Sequence, residues 1–195
     1  MVHVNKSRPF HDESIVPFKI NTDEKEQLSA LKVEDGFLVG FYRGEWGGHL
    51  DWYSKNGDNH YKISDDEIVQ FIKRGDKIYA IQGLDHMSIS AGSIFTIEKT
   101  DGRWTAGQYL KLPSEPRSIA LDLSNNFFVI TNKSLLKIDT GRKIITLVKN
   151  GFWHSTFYSN AISAAIKDSV VYVGMRAGVY KYNLLTGKQE WLLPE

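Results

Sequence analysis

The sequence predicts an all-β repeat fold, and three observations carry the prediction. Short runs rich in β-branched and aromatic residues recur along the chain, each bounded by Gly, Asn or Asp turns. The same four-run pattern is written four times. With Gly40, Ile81, Thr131 and Gly174 taken as equivalent, the repeats stand 41, 50 and 43 residues apart. A hairpin dipeptide also recurs after the third run of each repeat: Asn56-Gly57, Asp101-Gly102, Thr140-Gly141 and Thr186-Gly187. One such repeat cannot bury its apolar faces alone, and neighbours of this period stack face to face. The prediction is a small β-propeller of about four four-stranded antiparallel blades, with five blades or an incompletely closed ring as the alternative.

In chain order, residues 1–27 form an N-terminal arm. It carries Pro9, Pro17 and the polar cluster 21–26 around one apolar run at 15–20. Pro17 lacks the N–H that a ladder needs, so the run is an edge strand at best, suited to closing or padding the sheets that follow. The propeller domain is 28–195, with blades at about 28–64, 68–113, 118–149 and 162–195. First strands are expected at 28–33, 68–73, 118–123 and 162–167, and the most apolar strands follow tight polar turns at 34–36, 74–76, 124–126 and 167–169. Third strands are expected at 50–54, 94–99, 135–139 and 179–183, and fourth strands at 60–63, 108–112, 144–148 and 189–193.

Two segments argue for helix. Ser64-Asp65-Asp66-Glu67 is a capping-box pattern ahead of the helically spaced Ile68, Val69, Phe71 and Ile72, and 23–31 could also start a helix. Register overrules both, because each occupies the first-strand slot of a repeat. First strands lie nearest a propeller axis, and Ser29, Ala30, Ser118, Ala120, Ser163, Ala164 and Ala165 are small enough for that crowded place.

Composition limits the function classes. The chain has 195 residues, 42% of them hydrophobic, with 24 basic against 23 acidic side chains and a net charge of +1. No global field points to nucleic acid or an anionic membrane. The absence of cysteine removes thiolate chemistry and disulfides. The start lacks a basic and apolar leader, and no run of about 18 apolar residues occurs, so a cytoplasmic protein is expected. There is no GxSxG, P-loop, GxGxxG, HExxH or basic stripe.

Turns alternate between the two faces of a blade, so connections after second and fourth strands share one face. These include the long segments 42–49, 83–92 and 150–159, which expose aromatic, Met, His and Arg side chains. Such residues are enriched in interface hot spots. The candidate partner-binding residues are Arg43, Glu45, Trp46, His49, Asp85, His86, Met87, Phe152, Trp153, His154, Phe157, Tyr158 and Arg176, joined by the acidic cluster Asp65, Asp66 and Glu67. His49, His86 and His154 come one from each long segment, but separate loops do not guarantee the convergence that zinc requires, and no metal is expected. The acids Glu45, Asp51, Asp65, Asp66, Glu67, Asp85 and Glu115 would serve acid–base chemistry if they converged, but acids scattered over loops are more often solvated charges.

The last repeat carries a resemblance. Tyr172-Val173-Gly174, Gly178, Tyr180, Thr186-Gly187-Lys188 and Trp191, in that order, resemble one repeat of the PQQ-like β-propeller families. Those repeats place a docking tryptophan in the outer strand. Here only Trp191 sits there, while Tyr61, Ala106 and Ile145 take the matching positions. That departure, and the small number of blades, speak against the family's quinone cofactor and its dehydrogenase activity, so no cofactor is expected. By size, class and absence of catalytic motifs the chain also looks like the immunity proteins that bacteria pair with secreted toxin domains. That resemblance implies a non-catalytic inhibitor, bound one-to-one over a toxin's active site, the toxin being for example a nuclease. The alternatives are a small propeller hydrolase acting on lactones or glycans, and a self-assembling scaffold subunit.

Overall fold

A computed structural model of the chain describes residues 16–20, 27–86, 89–151, 161–175 and 178–193. The four repeats are four separate four-stranded antiparallel sheets, each with its strands in sequence order. Blade 1 comprises β1 (Gln27–Lys32), β2 (Gly36–Tyr42), β3 (Gly48–Ser54) and β4 (His60–Ser64). Blade 2 comprises β5 (Ile68–Arg74), β6 (Lys77–His86), β7 (Ile89–Thr100) and β8 (Arg103–Leu112). β9 (Pro116–Leu121), β10 (Phe127–Thr131), β11 (Leu135–Ile138) and β12 (Ile144–Val148) form blade 3. β13 (Ala161–Lys167), β14 (Val170–Met175), β15 (Gly178–Asn183) and β16 (Gln189–Leu192) form blade 4.

The second strands β2, β6 and β10 are apolar on both faces because each is sandwiched between two cores, whereas β14 buries Val171 and Val173 on one face only. Phe127 and Val129 of β10 join Tyr79, Ile81, Ile94 and Ile119 between blades 2 and 3, while Phe128 and Ile130 join Val171, Val173 and Tyr180 between blades 3 and 4. Leu38, Leu50, Ile68, Ala80 and Trp104 fill the space between blades 1 and 2. The same logic explains the helix-like spacing at 68–72. Ile68 and Phe71 face the core shared with blade 1, and Val69 and Ile72 pack on the core shared with blade 3, because a register shift between Ile68 and Gln70 breaks the strict alternation of β5, so a bulged strand covered on both sides imitates a helical pattern.

Several boundaries differ from expectation, among them the start of β8 at Arg103 and not at 108. The segment expected as a loop at 83–92 is mostly ladder, with Gly83 opposite Gly92, Leu84 opposite Ala91, Asp85 opposite Ser90 and His86 opposite Ile89. β9 ends before Asp122 rather than running to 123, because Asp122 Oδ1 accepts the backbone N–H groups of Ser124 and Asn126 and turns the chain. Leu123 is left fully in solvent.

First strands line up in the order β1, β5, β9, β13. Small residues and one glutamine tie them. Gln70 of β5 accepts from Ser118 Oγ at 3.0 Å and from the Ile119 N–H at 3.0 Å, and donates to the Ile119 carbonyl at 3.1 Å. Ser118 Oγ in turn accepts the Ala164 N–H of β13 at 2.9 Å, so a single chain of bonds crosses three blades. Gly40 permits a close approach between blades 1 and 2, since a Cβ there would stand 2.5 Å from Cβ of Ile68.

Among the described residues, no comparable packing joins β13 to β1, so the described strands of the four blades form an arc and not a closed ring. The face of blade 1 that a closing blade would cover is occupied instead by Val16, Phe18 and Ile20, which pack on Phe37, Val39, Phe41 and Tyr53. The Phe18 ring lies edge-on to Phe37 at 5.6 Å and stacks on Tyr53 at 5.5 Å. Tyr61, at a docking-tryptophan position, stacks on Trp52 at 5.2 Å and accepts the Trp104 backbone N–H of blade 2 at 2.6 Å. Among the described residues, no helix is long and apolar enough to cross a membrane.

Candidate functional site

The connections after second and fourth strands bring several carboxyl groups to one face. β2 ends at Tyr42, and the chain passes through Arg43 into a single 3-10 turn, Gly44–Trp46. Glu45 of that turn holds His86 Nδ1 of the next blade at 2.6 Å, tying the two blades together, while Trp46 beside it is 71% exposed. His49 lies within β3, stacked on Phe41 at 4.0 Å, with Nε2 3.6 Å from Asp51 Oδ2. Burial raises the Asp51 carboxyl above its ordinary value despite the nearby His49.

The acidic cluster does not act as one patch. Asp65 is exposed and paired with Lys62 at 2.8 Å, which holds its carboxyl below the usual range. Asp66 is half-buried. Glu67 turns inward as the chain enters β5, and its Oε2 is buried without a hydrogen-bond partner. Burial first, and then the charge of Glu115, push the Glu67 carboxyl up to about 7, against the opposing pull of Arg43.

Glu115 is fully buried in the link between blades 2 and 3. Its Oε1 accepts the Tyr42 hydroxyl at 2.7 Å, and Arg117 Nη2 lies 2.8 Å from Oε2. Burial outweighs both partners, so this carboxyl too stands above its ordinary value. Burial and the neighbouring Glu115 likewise raise the Tyr42 phenol. Asn132, from the turn after β10, clamps the surroundings: Nδ2 donates to Asp85 Oδ2 at 2.7 Å and to Ser90 Oγ at 3.1 Å, and its N–H donates to the Glu115 carbonyl at 2.9 Å. Ser90 Oγ also accepts the Glu115 N–H at 3.1 Å. Gly83 and Gly92 let this hairpin lie against Pro116, since a Cβ on Gly83 would meet the proline Cδ at 2.7 Å.

Of the residues singled out from sequence, Arg43, Glu45, Glu67, Asp85 and His86 belong to this neighbourhood. Met87, Phe152, Trp153, His154, Phe157, Tyr158 and Arg176 lie outside the described residues. Glu115 enters the sequence reading only as one of several loop acids, and Tyr42, Ser90, Arg117 and Asn132 are not among its candidates. Tyr42 and Glu115 meet across 73 residues, and only folding shows that. Among the described residues, no group of three His, Cys, Asp or Glu side chains could hold a metal ion. What the arrangement offers chemically is a rigid, hydrogen-bonded carboxylate, Glu115, beside a carboxyl that gains or loses its proton near neutrality, Glu67.

No protein-family model matches the chain, and no curated protein does. Solved structures do match at the level of fold. A streptogramin B lyase superposes with a TM-score of 0.57 at 14% identity, covering 88% of this chain and 56% of the lyase. A protein named as a candidate gluconolactonase superposes with a TM-score of 0.50 at 11% identity, covering 81% of this chain and 60% of its own. The chain thus spans little more than half the length of these propeller proteins, and identities this low show the fold alone.

Proposed function

We propose that the chain is a small propeller enzyme that opens lactones or related esters on the face carrying Glu67 and Glu115. The observation that carries the reading is the Glu67 carboxyl, half-buried, with Oε2 lacking a partner and a proton affinity set near neutrality by burial and Glu115. In hydrolysis the Glu67 carboxylate takes a proton from the attacking water, the ester C–O bond breaks, and the same proton passes to the leaving alkoxide. Acid and alcohol are the products. Arg43 supplies positive charge in the same neighbourhood, and Tyr42 with Arg117 hold Glu115 in place. The fold-level likeness to a lyase and to a candidate gluconolactonase supports the reading by analogy only.

The test is proton release from a panel of γ-lactones, δ-lactones and macrocyclic lactones. Turnover should rise with pH through about 7 and fall about 100-fold or more in Glu67→Gln with its circular dichroism unchanged. Absence of turnover across the panel, or full activity in the variant, sinks the proposal.

A second reading rests on Trp46, a large apolar ring 71% exposed beside the same site. It suits an anchor for a protein partner, including the one-to-one complex with a toxin domain, although no comparison supports the toxin reading. A partner captured from the source cells and lost in Trp46→Ala would favour it.

A further inference from the structure

The opposite face, made of the short turns after first and third strands, holds a cationic cluster that the acid–base site does not use. Arg74, at the end of β5, inserts its guanidinium among three rings, with Cζ 4.6 Å from the centroid of Tyr79, 5.5 Å from Tyr109 and 4.3 Å from Phe127. The rings meet edge to face, with Tyr79 and Phe127 5.0 Å apart. Arg74 Nη2 donates to the Tyr79 hydroxyl at 2.8 Å and to the Tyr109 hydroxyl at 2.9 Å. Each phenol oxygen therefore acts as an acceptor toward Arg74, and its own proton is left to donate elsewhere. Nη1 of Arg74 is buried with no hydrogen-bond partner. A second guanidinium, from Arg142 in the turn between β11 and β12, stands 4.3 Å over the Tyr109 ring.

Two cations converge on one tyrosine, yet among the described residues no carboxylate pairs with either. Asp122 is engaged by the Ser124 and Asn126 N–H groups and by the Asn126 side chain, and Asp139 by the Lys143 N–H. Ring faces offset part of the cost of a half-buried cation, but they leave Nη1 without an acceptor.

We propose that this cluster between blades 2 and 3 binds a small oxyanion, a carboxylate or a phosphate, with Arg142 and the Tyr109 hydroxyl as its outer contacts and Arg74 as the charge beneath. Guanidinium groups suit both oxyanions because their forked donors match paired oxygens.

The test is a titration of the full chain with sodium phosphate and, separately, with sodium acetate, each against sodium chloride at equal ionic strength, followed by amide and arginine side-chain NMR shifts. The expected result is saturable shifts centred on Arg74, Tyr109 and Arg142 with at least one oxyanion. Affinity should fall about tenfold in Arg142→Gln and in Tyr109→Phe, both of which leave the aromatic packing in place. The stronger of the two probes identifies the oxyanion. Shifts that track ionic strength in chloride alone, or affinities unchanged in both variants, overturn the proposal.

Discussion

Replacing Glu67 with glutamine should change how stability depends on pH, in a direction opposite to that of most carboxylates. The folded-state carboxyl titrates at about 7, against 4.5 for an unperturbed glutamate. Between these values the folded protein holds a proton that the unfolded chain has released, so the wild type loses stability as pH rises through that window and is level above it. The full displacement corresponds to about 3 kcal/mol, and solvent around a half-buried carboxyl reduces this to about 1–2 kcal/mol. The amide of the Glu67→Gln variant cannot ionise and escapes the penalty. Urea unfolding at pH 5 and pH 8 should show the variant gaining about 1 kcal/mol on the wild type between the two, with the same dependence on urea. An offset identical at both pH values would refute the reasoning, because it would mean that Glu67 is already ionised at pH 5 in the folded protein.

Gln70→Ala removes three hydrogen bonds that join β5 to β9 and should cost about 2–3 kcal/mol by urea unfolding; a loss below about 0.5 kcal/mol would mean water replaces them freely. Gly92→Ala drives a methyl group into Pro116 and the Ser114 carbonyl, so it should destabilise by about 1–3 kcal/mol, whereas Gly102→Ala meets no atom and bears only the cost of its positive φ. Asp35 accepts from the indoles of Trp104 at 3.0 Å and Trp52 at 3.3 Å and pairs with Lys99 at 2.9 Å. These contacts overcome burial and lower its carboxyl, so its stabilisation is present above the unfolded value and lost as pH falls through the folded one; Asp35→Asn should flatten that acid limb. Trp46→Ala should leave the unfolding midpoint unchanged, since the ring is mostly in solvent.

Much of the fold is legible because blade-forming information is local. The equivalence of Gly40, Ile81, Thr131 and Gly174 marks four central strands, and hairpin glycines such as Gly57 and Gly102 sit at positive φ where the turns need them. Strand order follows from chain order once turns are short. Ring closure is only partly local: the run at 15–20 reads as a segment that closes or pads the sheets, but nothing in β1 announces that Val16, Phe18 and Ile20 pack on its own blade. The hairpin at 83–92 reads as loop because its glycines and polar residues have low strand propensity, and it forms because Asn132 and Pro116 hold it from the neighbouring blade. The site is half visible in the sequence. Glu67 stands out there as part of an acidic run, whereas its character comes from being separated from Asp65 and turned toward Glu115. Glu115 itself carries no motif, and its partner Tyr42 lies in a different blade, 73 residues away.

The most direct measurement is a carbon-detected NMR titration of the Glu67 side-chain carboxyl in the intact protein, with Glu67→Gln used to assign the resonance. The account predicts a midpoint at about 7, displaced downward when Glu115 is replaced by glutamine, because burial and that neighbouring charge set it. A midpoint near 4.5, unmoved by the Glu115 substitution, would contradict it and remove the acid–base group from the centre of the site.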